Sequence, residues 1–305
     1  MQIIKPSFEI MAMTDHPSLP YQYQPDSELL IEAAGRNCYK SEIRITKDSA
    51  KAFIRDIKAR KHWLVMEHSW DVREFRVETN MLAVGNWNKY LYISEKSPRK
   101  TIVAGNLRSW RECIMGWAAD PVHEGHARNI AIAYNEPYLM AATVRFINDR
   151  GVSHEQVRHR PPAICQESTR YVNYVKRAIQ FVLPPWVNPN NFTIWSIFNK
   201  KRFADLLWLI ACWGSEKIYC ALIERGWSPQ QARDVLINSL KTELVVTTNL
   251  QNWQHIFRQR VLGTTGSPHP QMKEAMQPVL ESFALREPVF FSDEALRKAG
   301  NNGPS

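Results

Sequence analysis

The chain has 305 residues, 44% hydrophobic and 23% charged, which is material for one large folded unit and excludes an extended disordered chain. Lys and Arg outnumber Asp and Glu by 39 to 30, a net charge of +9 that favours anionic partners. The basic residues are spread along the chain with no long block, which argues against a basic tail and against a nucleic-acid partner.

In chain order, residues 1–26 read as a short strand and loops. Ser27 can cap a helix from Glu28 to Tyr39, and Ile45 to Ala59 reads as a second helix, apolar at Ala50, Phe53, Ile54 and Ile57. His62–Glu78 contains a strand; Gly85-Asn86 is a turn signal, and Tyr90–Ile93 is strand-like. Asn106–Trp117 and Gly125–Asn135 read as helices, and Tyr138–Ile147 as a strand that ends in a turn at Asp149-Arg150-Gly151. Ser153 and Gln156 fit a capping box for a short helix that Pro161-Pro162 must end, with Ala163–Tyr171 an ordered loop or short helix beyond. Ala204–Glu224 is a nearly all-apolar helix expected to be buried on several sides, ended by Gly226. Ser228-Pro229-Gln230-Gln231 starts a helix running to about Lys241; Thr248 can cap the next, with Leu250, Trp253, Ile256 and Phe257 on its apolar face. Pro270–Phe283 is a further helix, and the tail from Ser292 reads as loose. Gly105–Trp110 echoes Thr248–Trp253 through a shared Asn-Leu-x-x-Trp, a single match too weak to indicate duplication.

Trp63, Trp70, Trp110, Trp208, Trp213 and Trp253 sit among apolar residues and read as core. The five cysteines have no C-x-x-C pair, so neither a disulfide framework nor a metal site is indicated, and a reducing cytoplasm fits. Met1–Pro20 does not look like a signal peptide, and no apolar run reaches the roughly 18 residues that span a bilayer, so no membrane is expected.

The densest polar stretch is Arg158–Tyr171, which sets three arginines, a histidine, a carboxylate, an amide and two hydroxyls without an apolar period. Fixed cations and short donors suit a multiply charged planar ligand. Arg158-His159-Arg160, then Ser168, then Arg170-Tyr171 resembles the signature of the flavin-dependent thymidylate synthases. Asp149–Glu155 upstream, Glu67-His68, Ala232-Arg233 and Asn249–Arg260 resemble further elements of that family in order, over about residues 62–78 and 140–275. The resemblance implies an α/β (α+β) fold with a central sheet flanked by helices, one domain over 1–305, and a homotetramer whose active sites are shared between chains. Residues 79–139 look like an insertion.

It also implies conversion of dUMP to dTMP, with methylenetetrahydrofolate as carbon donor and FAD, reduced by NADPH, as hydride source. On that resemblance Glu155, Gln156, Arg158, Gln166, Glu167, Ser168, Thr169, Arg170 and Arg233 take the nucleotide, and Arg260 polarises the uracil as the catalytic residue. His68, Trp70, Arg158, His159, Arg160, Gln166, Asn249, Gln251 and His255 fall at FAD-contacting positions. Fixed guanidinium groups stabilise negative charge developing at N3/O4 of the ring, and no Gly-x-Gly-x-x-Gly is present for a Rossmann-type flavin site.

Three departures stand out: Ala163 for a usual Ser, Cys165-Gln166 for Asn-Glu, and Gln251 for an arginine. Glu167 could replace the lost carboxylate and Arg108 the lost cation. The departures motivate a relative making 5-hydroxymethyl-dUMP as the alternative. From a different class, the charge and tryptophan content raise a non-catalytic nucleic-acid-binding protein. Cys165 lacks the Pro-Cys-His setting of folate-only thymidylate synthases.

Overall fold

The computed structural model describes residues 1–13, 27–75, 90–97, 100–114, 136–176 and 178–301. Its first elements are β1 (Gln2–Ile4), β2 (Ser7–Met13), α1 (Ser27–Tyr39), α2 (Ser49–Ala59), β3 (Asp71–Phe75), β4 (Leu91–Ser97), β5 (Lys100–Gly105) and α3 (Leu107–Ile114). Next come β6 (Ala141–Asp149), α4 (Arg150–Gln156), β7 (Ala163–Gln166), β8 (Gln180–Val182), α5 (Lys200–Glu224) and α6 (Pro229–Ala232). Last are β9 (Lys241–Asn249), α7 (Leu250–Arg260), α8 (Pro270–Arg286), α9 (Pro288–Phe291) and α10 (Asp293–Asn301).

The central sheet runs β2-β6-β9-β7, antiparallel at every pair. β6 and β9 pair along their whole length, from Ala141 opposite Asn249 to Asp149 opposite Lys241. The pleat sends Val144, Phe146, Leu244 and Val246 to one face, where Trp253 and Phe257 of α7 and Phe283 of α8 meet them. Trp253 and Phe257 stack at 5.6 Å between centroids, and Phe283 meets them edge-on at 5.4 and 5.3 Å. Such ring pairs add about 0.5–1.5 kcal/mol each beyond their area. The other face carries Cys165 and Val245, which pack on Ala34 of α1. Asn37 fixes that helix to the sheet, its Nδ2 donating to the Glu243 and Cys165 carbonyls at 3.2 and 3.4 Å. The result is the expected mixed architecture of a central sheet with helices on both faces.

Several expectations are corrected. Asp149-Arg150-Gly151 is not a turn: Asp149 is the last residue of β6 and the N-cap of α4, its carboxylate accepting from the Val152 amide at 2.7 Å. A carboxylate at the positive end of a helix outcompetes a serine one turn later. Ser153 therefore lies inside α4 and donates to the Arg150 carbonyl (2.8 Å). The first half of the expected ligand loop is strand β7. The helix begun at Ser228 has its capping box but stops at Ala232, followed by a 3-10 turn at Arg233–Val235. β9 went unread because all nine of its residues are buried, so it shows no alternation. Asn249, not Thr248, caps α7 (Asn252 amide to Oδ1, 2.8 Å). The tail from Ser292 forms α10, whose Leu296 is buried.

α5 departs furthest from expectation. Only Cys212, Ser215, Glu216 and Tyr219 of it are buried, while Leu207, Ile210, Trp213 and Ile218 are about half exposed. By length and composition it is long and apolar enough to cross a membrane, which the sequence reading denied to every segment. Its inner face is held by polar contacts: Ser215 donates to the Val235 carbonyl (2.9 Å), and Glu216 meets the N-terminal ammonium (2.7 Å). Gly226 follows the helix with φ +91°, a left-handed turn open to glycine. Of the tryptophans read as core, Trp110 and Trp253 are buried, Trp63, Trp70 and Trp208 are intermediate, and Trp213 is exposed.

Within the segment read as an insertion, β4, β5 and α3 are described, and β3-β5-β4 form a separate antiparallel sheet. The Gly85-Asn86 turn and the Gly125–Asn135 helix lie outside the described residues. The Asn-Leu-x-x-Trp echo has a local cause. Asn106 and Asn249 each cap a helix that follows a strand directly, accepting from Ser109 N and Asn252 N, and each tryptophan turns into the core.

Candidate active site

β6 leads into α4, and α4 into the Arg158-His159-Arg160 turn, so the start of the signature is fixed at the end of the longest strand pair. α7, which follows β9, brings Arg260 to the same place. The Arg260 Nε donates to His159 Nε2 (2.9 Å), and its Nη1 meets Glu155 Oε2 (3.0 Å). To accept from a guanidinium, His159 must be neutral at Nε2. Its pKa is pushed down to about 4, first by burial and then by Arg260 and His255. Three expected site residues, from α4, the turn after it and α7, thus form one clamp, with Glu155 and His159 holding the guanidinium from two sides.

β7 splits the next residues between the two faces of the sheet. The Gln166 Nε2 donates to Ser153 Oγ (2.9 Å) and Thr242 Oγ1 (3.1 Å), bonds in which a carboxylate could not be the donor. Gln156 lies buried beside them and accepts from Asn148 Nδ2 (2.8 Å). Glu167 is buried on its own account and takes Lys241 Nζ (3.0 Å) and the Tyr174 hydroxyl (3.1 Å), so both its oxygens are engaged away from Gln166. Lys241 also pairs with Glu243, which meets Lys40 Nζ at 2.9 Å. This chain of alternating charges lines a cavity of about 420 Å³ with Arg145, Tyr174 and Gln180. The phenol of Tyr174 is held well above its usual range by burial and the Glu167 carboxylate.

Arg158, Arg160, Arg170 and Arg233 are exposed. Among the described residues the first three form no ion pair, and Arg233 has only its neighbour Asp234 at 3.9 Å. Arg160 Nη1 donates to the Val157 carbonyl (2.5 Å), and the Arg170 guanidinium lies over the Tyr171 ring at 5.3 Å. The Ser168 amide donates to the Cys38 carbonyl (2.9 Å), Ser168 Oγ accepts from Arg170 N (3.3 Å), and Thr169 is buried. Arg233 follows Ala232, which shares a core cluster with Val172 and Tyr174 just beyond the signature.

Of the expected flavin positions, several are built into the fold. His68 is fully buried, with Nδ1 on Thr247 Oγ1 (2.9 Å) and Nε2 without a partner; burial pushes its pKa down to about 3. The Trp70 indole donates to the Leu139 carbonyl (2.9 Å) and lies against the Tyr92 ring, and Asn249 is the buried cap of α7. Gln251 and His255 are exposed one turn apart on α7, and His255 is lowered by burial and Arg258. Arg108 is held by Glu67 (2.7 Å) and Glu112 (2.6 Å), so its charge is matched before any ligand arrives. The exposed Arg158 and Arg160 flank His159, on which the His255 charge acts, and cations and an imidazole of this kind suit the anionic phosphates of a flavin dinucleotide.

Lys40, Lys241, Glu243, Tyr174 and Thr247 went unnoticed in the sequence. All but Lys40 and Tyr174 lie on β9, and a buried strand with charges at both Lys241 and Glu243 was the available signal.

Residues 139–289 match the family model described as thymidylate synthase complementing protein, Thy1. The match includes the signature, Arg233 and Arg260, and leaves His68 and Trp70 outside. Flavin-dependent thymidylate synthase of Pyrococcus horikoshii is 28% identical over 204 residues, 62% of this chain and 76% of the relative. That of Pyrococcus furiosus is 27% identical over 64% of this chain and 78% of its own. A solved UMP/dUMP methylase, PolB from Streptomyces cacaoi, is 14% identical over 99% of both chains, with a TM-score of 0.49. The chain belongs to the thymidylate synthase complementing protein family, Thy1, the family of the flavin-dependent thymidylate synthases.

Proposed function

We propose that the chain converts dUMP to dTMP, with methylenetetrahydrofolate as carbon donor and FAD, reduced by NADPH, as hydride source. The observation that carries this reading is the Arg260 clamp beside a set of exposed arginines, in a chain of this family. Arg170, Arg233 and Ser168 supply charge-assisted donors for a phosphate dianion. Arg260, its other directions fixed by Glu155 and His159, presents its remaining N–H groups to the uracil O4/N3 edge and stabilises charge there as C5 becomes nucleophilic. Arg158, His159 and Arg160, with Gln251 and His255, would hold FAD over the scaffold of His68, Trp70, Asn249 and Gln166. When bound, FAD supplies the hydride that reduces the transferred carbon to a methyl group.

The exposed stripe on α5, with the exposed Ile194, Trp195 and Phe198 just before it, supports assembly with further copies of the chain. Arg233 lies next to that helix, so a partner there would bring its own Arg233 to a shared site. A cytoplasmic setting goes with this reaction.

Purified protein mixed with FAD, NADPH, methylenetetrahydrofolate and dUMP is expected to oxidise NADPH only when dUMP is present, and to give a nucleotide heavier by one methylene unit. A hydroxymethyl product would assign the alternative reaction. No dUMP-dependent oxidation, with no flavin retained, would overturn both.

A further inference from the structure

Cys38 lies in the last turn of α1 and Cys165 in β7, yet their side chains share one small cluster with Ala34 and Val245. The backbone around them is tied twice over: Asn37 donates to the Cys165 carbonyl, and the Cys38 carbonyl accepts from Ser168 N. Both thiols are free; Cys38 is partly exposed and Cys165 is buried. We propose that Cys38 and Cys165 form a reversible thiol–disulfide site, with Cys38 the attacking thiol, Cys165 the resolving thiol, and a low-molecular-weight disulfide the co-reactant.

The asymmetry between them gives the order of events. Packed in one cluster with Cys38, whose Sγ also reaches the Ala34 carbonyl (3.8 Å), the neighbouring Cys165 thiol holds Cys38 below the ordinary thiol range. The Cys38 thiol in turn, together with burial, holds Cys165 well above it. The Cys38 thiolate attacks one sulfur of the small disulfide, breaking its S–S bond, forming a mixed disulfide and releasing one small thiolate. Cys165 then loses its proton and attacks the Cys38 sulfur, expelling the second small thiolate. The two protein thiols are oxidised by two electrons, and the small disulfide is reduced to two thiols. The product bond lies next to Gln166 and joins α1 to the strand leading into Ser168. The site stands independently of the reaction proposed above.

The full chain is incubated with oxidised glutathione, alkylated and analysed by peptide mass mapping. A Cys38–Cys165 linked peptide is expected, with two of the five thiols lost and no glutathione retained. In Cys165→Ser a glutathione adduct is expected to persist on Cys38, and in Cys38→Ser no adduct on Cys165. Free thiols at both positions in the wild-type chain after equilibration, or Cys38 linked to a different cysteine, would overturn the proposal. So would a glutathione adduct on Cys165 in Cys38→Ser. Because the wild-type map is decisive alone, the test survives a variant that fails to fold.

Discussion

At the scale of the residue, the site depends on one guanidinium addressed from two directions. The Arg260 Nε and Nη1 serve different partners, His159 and Glu155, and only a planar fork can do both. Arg260→Lys keeps the charge and loses the geometry, so kcat/KM is expected to fall by about 10²-fold or more in steady-state kinetics. A lysine variant with nearly full activity would show that charge alone suffices. Glu155→Gln, which keeps an acceptor, is expected to lose less. Titration of the histidines acts on stability. The folded-state pKa values of His68 and His159 lie near 3 and 4, below the ordinary histidine value. Between those values and about 6.5 the unfolded chain binds the proton and the native chain does not, so stability rises with pH across that window. It is fully present above about pH 6.5, and each group gives up on the order of 3–5 kcal/mol as pH falls through its folded value. Urea midpoints should be level above neutrality and fall steeply from pH 6.5 towards 4; a midpoint that holds constant to pH 4 would refute this.

At the scale of the element, β9 organises the molecule. It pairs with β6 and β7, leads into α7, and carries Lys241, whose ammonium lies between Glu167 and Glu243. Removing one partner of a buried charge network costs about 3–5 kcal/mol, because the others stay buried. Lys241→Met is expected to lower unfolding stability by that amount, while Lys241→Met with Glu167→Leu recovers part of it; a double-mutant cycle by urea unfolding reads the coupling. A loss in the double variant equal to the sum of the losses in Lys241→Met and Glu167→Leu would show that the pair is not coupled. β9 is also where sequence reading failed. Its turn signals and amphipathic period are absent because both faces are covered, and the helix expected from Ser228 runs up to its first residue, Lys241. Helices with one solvent face, such as α1, α2 and α7, are legible from their apolar period, though α2 begins at Ser49 rather than Ile45 and the side-chain cap of α7 is Asn249, one residue beyond the expected Thr248. The signature positions were legible as residue types. Their division between the two faces of the sheet was not, because it depends on β7 being a strand. That division is why Glu167 cannot substitute for a carboxylate at Gln166, and why an amide, which can donate to Ser153 and Thr242, suits position 166.

At the scale of the whole molecule, the exposed apolar stripe of α5 has to be reconciled with a folded protein. Composition alone made that helix a core element, since periodicity does not say which other elements come to cover a face. Its inner side is held inward by its contacts, with Ser215 and Glu216 already bonded within the chain and Tyr219 buried. Leu207, Ile210, Trp213 and Ile218 on the outer side, with Trp195 and Phe198, make a patch of the kind that marks an interface. A further copy of the chain covers it in the assembly proposed above. Ile210→Glu with Trp213→Glu, both at exposed positions, is therefore expected to leave the circular dichroism spectrum unchanged and convert oligomers to monomers in sedimentation velocity. Activity should be lost with assembly, and mixing this variant with one carrying Arg233→Ala should restore none of it, since the first cannot pair. A wild-type chain that sediments as a monomer at micromolar concentration, or that instead pelts down with phospholipid vesicles through this helix, would assign the stripe to a different surface.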